Sequence, residues 1–309
     1  MMPGAIVTEN LVKRYGRGCG LNGFSLSVPA GATMGLVGRN GAGKTTWMMI
    51  VAGFVLPSSG SVDILRRGAF SAARHGGRLS ILPQDSELPL EARTRELLVR
   101  YARLQGLSPA ASEKSADSLV AAFNLEAHAG KRIRTLSHGM RKRVMVAQAF
   151  IGEPEIVLLD EPLSGLDPVE ADRMRDFIRA RRGCQTMVIS SHYLDDIEKL
   201  CTHAAFIDGG KLERFDTLAA LTSASGRIVY TLRRRPDDFA AIERLADGLS
   251  LGWNAERGEL TATFGETVPP EDINARLLSS LVPFGVVSVV SGRSLEDAYL
   301  CGRSGKTGW

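Results

Sequence analysis

The sequence has few of the residues that mark a secreted, disulfide-bonded or zinc-binding protein. Its 309 residues include only four cysteines, and these lie far apart, at Cys19, Cys184, Cys201 and Cys301. None forms a CxxC pair, and none has a histidine at the spacing of a zinc ligand. We therefore expect a reducing compartment, with neither a disulfide framework nor a zinc site.

Long hydrophobic segments are also missing. No apolar run approaches the ~20 residues that span a bilayer. The first residues, MMPGAIVTEN, have no basic segment followed by an apolar stretch, which argues against a secretory signal. If the protein serves a membrane process, we expect another chain to cross the membrane.

Charge of one sign is not in large excess, because the formal net charge is +4 and the isoelectric point is near 9.0. The arginines occur in short, scattered groups, whereas a nucleic-acid interface would need them gathered on one face. We interpret them as solvated surface and expect no nucleic-acid partner. Proximity to an anionic membrane surface stays open. The apolar fraction of 44% is ordinary for a globular protein and permits a substantial core.

What the sequence does contain is a complete phosphate-binding motif. Residues 38–45, GRNGAGKT, match GxxxxGK[ST] and lie between an apolar strand and the start of a helix. The glycines let backbone N–H groups turn towards phosphate oxygens, and the helix adds its positive dipole end. Lys44 would bind the β- and γ-phosphates, and the Thr45 hydroxyl would coordinate Mg²⁺. The alternative is a glycine turn that binds nothing.

Two carboxylates follow the apolar segment IVLLDE, residues 156–161, a pattern typical of a buried parallel strand. Asp160 would hold Mg²⁺ through water as the acidic partner of Thr45. Glu161 would then accept a proton from water as the general base. A solvated strand end is the alternative, and it is weaker because the phosphate loop already requires a metal ligand here.

Gln84 and His192 each end an apolar strand, in RLSILPQD and in TMVISSH. Open α/β sheets bind ligands at the carboxyl ends of their strands. Gln84 would reach Mg²⁺ or the attacking water, and His192 would hydrogen-bond a γ-phosphate. Taken singly, a loop glutamine and a structural histidine are the more common interpretations.

Tyr15 and Ser137 each allow a structural and a functional interpretation. Tyr15 ends the first of two strands in residues 5–31, where an antiparallel flap would lay its ring on adenine. Otherwise it is a half-exposed strand tyrosine. Ser137 precedes a helix over 138–150 and either caps it or, with Gly139, forms a second anion site. That site would not serve the nucleotide of its own chain.

The remaining pattern predicts two domains. Residues 85–150 contain a helical insertion, and a short helix ending near Leu221 closes a first domain over 1–221. TSASG at 222–226 is predicted to be a linker. Residues 227–309 have the order strand, helix, strand, strand, helix, strand, followed by a last helix, SLEDAYLC. That order matches the ferredoxin-like split unit.

With these motifs in order, residues 1–221 resemble the nucleotide-binding subunit of ABC transporters. The stretches GRNGAGKTT, LPQD, LSHGM, IVLLDEP, SGLD and SSH follow the family's order, which is far more specific than any one motif. The resemblance implies an α/β fold, the P-loop NTPase ABC-type nucleotide-binding domain. Its parts would be a mixed sheet core, an antiparallel β flap, the helical insertion and a small α+β C-terminal domain. SLEDAYL is similar to the tail of ABC-2-type exporter ATPases and favours export.

The resemblance also implies roles for individual residues. The implied nucleotide contacts are Tyr15, Gly38, Arg39, Asn40, Gly41, Ala42, Gly43, Lys44, Thr45, Thr46, Ser137 and Gly139. The implied Mg²⁺ ligands are Thr45, Gln84 and Asp160, and the implied catalytic residues are Glu161, His192, Gln84 and Lys44. Residues 164–167 would cross a dimer interface. The family's signature is commonly LSGGQ. Here His138 and Met140 differ from it while Ser137 and Gly139 are kept, so we expect a competent ATPase.

The activity implied by the resemblance is hydrolysis of ATP, with Mg²⁺, at the cytoplasmic face of the cell membrane. Two copies, or one copy and a homologous ATPase subunit, would clamp ATP head to tail and drive an integral membrane transporter subunit. A second hypothesis is a soluble ABC-type ATPase that acts on nucleic acid or ribosomes. The single phosphate loop and the lack of sustained heptads argue against it. A third, a nucleotide-gated module without catalysis, is opposed by Glu161 and His192.

Overall fold

The computed structural model describes residues 4–16, 18–223, 226–246, 248–264, 270–291 and residue 295. The chain forms two compact units that divide between Asp216 and Thr217. Within these described ranges, no helix has both the length and the apolar character that crossing a membrane requires.

The first unit contains a three-stranded antiparallel sheet, the flap, and a six-stranded sheet. The flap strands are β1 Gly4–Tyr15, β2 Gly18–Pro29 and β4 Ser59–Ile64, in the order β2-β1-β4. The other strands are β3 Thr33–Val37, β5 Leu79–Leu82, β6 Ile156–Asp160, β7 Thr186–Ser191, β8 His203–Asp208 and β9 Lys211–Thr217. Their order is β5-β6-β7-β3-β8-β9, and the first five are parallel.

Buried parallel strands form the centre of this larger sheet. Every residue of β3, β6 and β7 is buried, as expected for strands covered on both faces. The carboxyl ends of neighbouring parallel strands lie side by side, so the residues that end β6 and β7 meet at one edge of the sheet.

The helices of the first unit are α1 Lys44–Val51, α2 Ala72–His75, α3 Thr94–Leu104, α4 Pro109–Ala122, α5 His138–Gln148, α6 Pro168–Arg179 and α7 Leu194–Leu200. The predicted helical insertion corresponds to α3, α4 and α5, between β5 and β6. Three side chains explain where helices begin. Ser108, Ser137 and Asp167 each accept a hydrogen bond from a backbone N–H in the first turn of α4, α5 and α6.

Trp47 on α1 joins the flap to the phosphate loop. Its indole is fully buried and packs against Phe24 of β2, with ring centroids 6.2 Å apart. Its Nε1 donates a hydrogen bond to Thr8 Oγ1 of β1 at 3.2 Å. Burial of such a side chain stabilises a fold by about 3–5 kcal/mol. The packing therefore holds β1 and β2 of the flap against α1, the helix that follows the phosphate loop.

The second unit is a small α+β domain. Its elements are α8 Leu218–Ser223, β10 Gly226–Leu232, α9 Phe239–Glu243, β11 Ser250–Asn254, β12 Glu259–Phe264, α10 Pro270–Leu281 and β13 Val286–Ser291. The antiparallel strands have the order β11-β12-β10-β13. Tyr230, Leu260 and Leu277 are fully buried in its core. Except for the buried Leu295, the predicted last helix, SLEDAYLC, lies outside the described residues.

The structure differs from the sequence-based boundaries at the predicted linker. Residues 222 and 223 belong to α8, and β10 begins at residue 226. The helix α8, which the sequence assigns to the first domain, falls in the second compact unit. Small polar residues predict a linker here, but Thr217 Oγ1 accepts a hydrogen bond from Ala220 N at 3.1 Å at the start of this helix.

Candidate active site

The loop between β3 and α1 is shaped by its glycines. The φ angles of Gly41 and Gly43 are 79° and 113°, which residues with a side chain rarely adopt. A Cβ atom at Gly38 would collide with the backbone oxygen of Ile207, and one at Gly43 with that of Gly20. The packing around the loop thus requires glycine at these positions, and the backbone stays open to a close-lying anion.

Lys44 closes the loop on itself. Its Nζ donates hydrogen bonds to the carbonyl oxygens of Gly38, at 2.7 Å, and Arg39, at 3.2 Å. Burial lowers the pKa of Lys44, and the carboxylates of Glu161 and Asp160 oppose that change. An anion in the loop would be a stronger partner for this ammonium group than the two neutral carbonyls are.

Asp160, at the end of β6, accepts hydrogen bonds from two hydroxyl groups. Thr45 Oγ1 donates to Asp160 Oδ2 at 2.6 Å, and Ser190 Oγ donates to Oδ1. The carboxylate is almost completely buried. Ser190 is a site residue that the sequence did not reveal. The available signal was its position near the end of β7, directly beside Asp160 in the parallel pair.

Glu161 follows Asp160 in an unusual backbone conformation, with φ 50°. Its Oε1 accepts a hydrogen bond from His192 Nδ1 at 2.9 Å, which joins the ends of β6 and β7. The carboxylate is buried, whereas the His192 side chain is 45% exposed. A second residue that the sequence did not reveal, Lys142 of α5, donates from Nζ to the Glu161 carbonyl oxygen at 3.0 Å.

Tyr15 lies beside the end of the phosphate loop. A Cβ atom placed on Gly20 would be 2.9 Å from Tyr15 Cε2 and 3.1 Å from Thr46 Cγ2. The Tyr15 ring and Thr46 therefore both lie beside Gly20. The Tyr15 side chain is 50% exposed. Lys13 Nζ lies 5.2 Å from the ring centroid. One aromatic face is therefore available next to residues 38–46.

Gln84 follows β5, the neighbour of β6 in the sheet. It is exposed, beyond the end of β5 at the edge of the six-stranded sheet. Among the described residues, the side chains that hydrogen-bond to the Asp160 carboxylate are those of Thr45 and Ser190, not Gln84. Hydrogen bonds join Thr45 to Asp160 and Glu161 to His192, and both carboxylates act on the pKa of Lys44. The role of Gln84 stays a prediction.

The LSHGM motif lies against residues 164–167 of the same chain. Ser137 Oγ accepts a hydrogen bond from Met140 N at 3.2 Å, so the capping interaction is present. Ser137 is nevertheless exposed. A Cβ atom on Gly139 would be 3.8 Å from Leu166 Cδ2, and one on Gly165 would be 3.0 Å from His138 Nε2. The LSHGM motif and residues 164–167 therefore lie next to each other.

The oxygen atoms at Asp160 have the chemistry of a Mg²⁺ site. A threonine hydroxyl and an aspartate carboxylate lie within hydrogen-bonding distance, and Mg²⁺ prefers hard oxygen ligands with several waters retained. The part of the chain that is described contains no group of three or more His, Cys, Asp or Glu side chains able to hold a metal. Phosphate and water would have to complete the coordination.

Comparison with known proteins decides the family. The model of the ABC transporter family matches residues 21–164. The chain is 35% identical over 298 residues to Nod factor export ATP-binding protein I of Burkholderia orbicola (strain AU 1054), covering 94% of each chain. It belongs to the ABC transporter family. It is 34% identical to the Daunorubicin/doxorubicin resistance ATP-binding protein DrrA of Streptomyces peucetius, covering 96% of this chain and 91% of DrrA.

Solved structures agree with this assignment to the ABC family. The ATP-binding subunit of an ABC transporter matches with a TM-score of 0.63 and 26% identity, over 70% of this chain and 91% of that chain. A dimeric ATP-binding cassette in a post-hydrolysis state, bound to ADP and Pi, has the same fold, with a TM-score of 0.63 and 20% identity over 69% of this chain and 98% of that one.

The ABC family and the P-loop NTPase fold predicted from the sequence are thus confirmed, including the small α+β second domain. The chain is an ATP-binding and ATP-hydrolysing subunit of an ABC transporter.

Proposed function

We propose that this ABC subunit powers export, that it works as a head-to-tail pair, and that it uses Mg²⁺ with ATP. The observation that carries the proposal is the contact between Glu161 and His192, beside the Thr45–Asp160 pair. A buried carboxylate next to a phosphate loop is suited to accept a proton from an attacking water. Two relatives named for export and drug resistance support the direction of transport.

Within this function, residues 38–46 hold the phosphates of ATP and Tyr15 stacks on the base. Lys44 exchanges its two carbonyl partners for phosphate oxygens. Thr45 and Asp160 hold Mg²⁺, which would stabilise negative charge on the phosphates. Gln84 follows β5, beside β6, and is assigned to Mg²⁺ or the attacking water. An experimental structure of Glu161→Gln with MgATP tests these assignments, because hydrogen bonds from residues 38–46 to the phosphates should lie within about 3.2 Å and the Tyr15 ring should stack on the base. The same structure tests a ferredoxin-like fold for the second unit, which the strand order β11-β12-β10-β13 supports.

We assign Ser137 and Gly139 to the nucleotide held by a second copy, or by a homologous ATPase subunit. Ser137 is exposed at the N-terminus of α5, where backbone N–H groups and the helix dipole favour anions. Residues 164–167 lie beside it and would enter the same interface. Each ATP then completes its site only when two chains meet, so binding of ATP favours association.

Substitution of Ser137 by alanine separates capping from nucleotide contact. Ser108 caps α4 as Ser137 caps α5. The distance from the serine Oγ to the backbone nitrogen is 3.3 Å at Ser108 and 3.2 Å at Ser137. Both alanine variants should lose about 1 kcal/mol of stability. Only Ser137→Ala should weaken ATP-dependent dimerisation, measured by sedimentation in a Glu161→Gln background. We expect the Kd of the dimer to rise about tenfold, because a charge-assisted hydrogen bond contributes about 1.5–3 kcal/mol. Equal dimerisation by the two variants would leave Ser137 as a cap alone.

The membrane partner is proposed to be an integral subunit that carries the transport path, with this chain bound at the cytoplasmic face. The relatives' names and the exposed surface of α3, including Leu104 at 77% exposure, support a docking partner. Affinity purification from detergent-solubilised membranes should recover a protein with several membrane spans in stoichiometric amount. Recovery of ribosomes or nucleic acid in its place would favour the non-transport ATPase hypothesis.

A further inference from the structure

The buried lysine of α5 has no role in the site as proposed so far. Lys142 lies one helical turn after His138, so the two side chains project from one face of α5. That face meets residues 161–165. Lys142 Nζ donates to the Glu161 carbonyl oxygen at 3.0 Å, and His138 Nε2 borders Gly165. The helix that begins with Ser137 therefore contacts the segment that begins with Glu161.

The Lys142 contact is buried at both ends. Lys142 and Glu161 are each 7% exposed. Burial lowers the pKa of Lys142, and the carboxylates of Glu161 and Asp160 oppose this change by stabilising its charge. Burial of an ammonium group is unfavourable unless it gains a specific interaction. Here the interaction is with a backbone carbonyl group of the residue assigned as general base.

Several groups hold the backbone of Glu161 in its strained conformation. Its φ of 50° is uncommon for a residue with a side chain and persists only where neighbours enforce it. Its N–H donates to Ser190 Oγ at 3.0 Å, and its carbonyl oxygen accepts from Ser164 N, at 3.3 Å, as well as from Lys142. The direction of the carboxylate follows from this backbone, so Lys142 contributes to where the carboxylate points.

We infer that Lys142 is a positioning residue for Glu161, and that α5 links the signature serine to the general base of the same chain. The inference rests on the proposed function, in which Glu161 is the base and Ser137 contacts the nucleotide of the partner. A change at Ser137 moves the first turn of α5, and Lys142 lies in the next turn. Nucleotide in one composite site thereby influences the carboxylate that serves the other.

Lys142→Met tests the positioning role, because methionine is unbranched like lysine, is only one atom shorter and has no hydrogen-bond donor. We expect kcat to fall by about tenfold to a hundredfold, the cost of a base displaced by about 1 Å. The Kd for ATP, measured by fluorescent-nucleotide titration, should stay within about twofold, since Lys142 lies outside the phosphate loop. Lys142→Arg keeps the donor and should restore much of kcat. Lys114→Met, on the exposed surface of α4, should match the wild type.

Three results would overturn the inference. Wild-type kcat in Lys142→Met, while Glu161→Gln is inactive, would refute positioning and leave the proposed function intact. If Lys142→Met lowers thermal stability and ATP affinity together with kcat, Lys142 has a structural role only. Additive effects on kcat of Ser137→Ala and Lys142→Met in the double variant would remove the link through α5. By contrast, rapid turnover by Glu161→Gln would contradict the proposed function itself.

Discussion

Glu161→Gln should slow ATP hydrolysis by about two to four orders of magnitude, the usual contribution of a general base. Glutamine keeps the shape of the side chain and an acceptor for His192 Nδ1, which is 2.9 Å from Oε1 in the wild type. It cannot accept a proton from water at neutral pH. ATP should therefore bind and remain intact, and dimers should accumulate with MgATP but not with MgADP. Phosphate release and sedimentation velocity measure the two effects.

The matched control for this substitution is Glu155→Gln. Glu155 lies just before β6, and its side chain is 50% exposed in a pair with Arg78. Pairs of this kind contribute about 0–1 kcal/mol, so turnover should stay at the wild-type level. Hydrolysis by Glu161→Gln at the wild-type rate, with the control unchanged, would reject Glu161 as the base.

Lys44→Ala should raise the Kd for ATP by about a hundredfold to a thousandfold. Lys44 is 7% exposed, and removal of one partner from a desolvated, hydrogen-bonded charge pair costs about 2–5 kcal/mol. Isothermal titration with a non-hydrolysable ATP analogue measures the change. Adenosine affinity should change little, because adenosine has no phosphate for Lys44 to bind.

Two controls make the Lys44 result interpretable. Lys211→Ala removes an exposed lysine at the start of β9 and should leave the Kd unchanged. A thermal melt should demonstrate that Lys44→Ala is folded, because the variant removes one of the two lysines, Lys44 and Lys142, that interact with the buried Asp160 and Glu161 carboxylates. A folded Lys44→Ala protein that binds ATP with wild-type affinity would mean that residues 38–45 do not form the phosphate site.

The central strands were predictable from the sequence because their signal is local. A parallel strand buried on both faces must be apolar along its length, and IVLLD is observed as β6 with every residue buried. The boundary between the two domains was less predictable from the sequence. The segment 222–226, TSASG, consists of small residues, which favour linkers, yet a hydrogen bond from Ala220 N to Thr217 Oγ1 caps a helix that includes its first two residues.

Contacts between residues of the site could be predicted from the sequence only where the residues end neighbouring strands. Asp160 and His192 follow apolar segments, so the strand-end rule brings them together. Ser190 is inside the β7 segment, and its role depends on the register between β6 and β7, which pairs it with Asp160. Gln84 follows the same rule after the edge strand β5, and its role in the site stays a prediction.

By itself, the sequence determined the phosphate loop, the strand ends and the family, because each depends on residue types at short, fixed spacings. Only the tertiary structure decided which distant residues meet. Lys142 and Glu161 are 19 positions apart, and Ser190 and Asp160 are 30 apart. No local pattern encodes those separations, since each contact forms only when a helix packs on the sheet or two strands pair in one register.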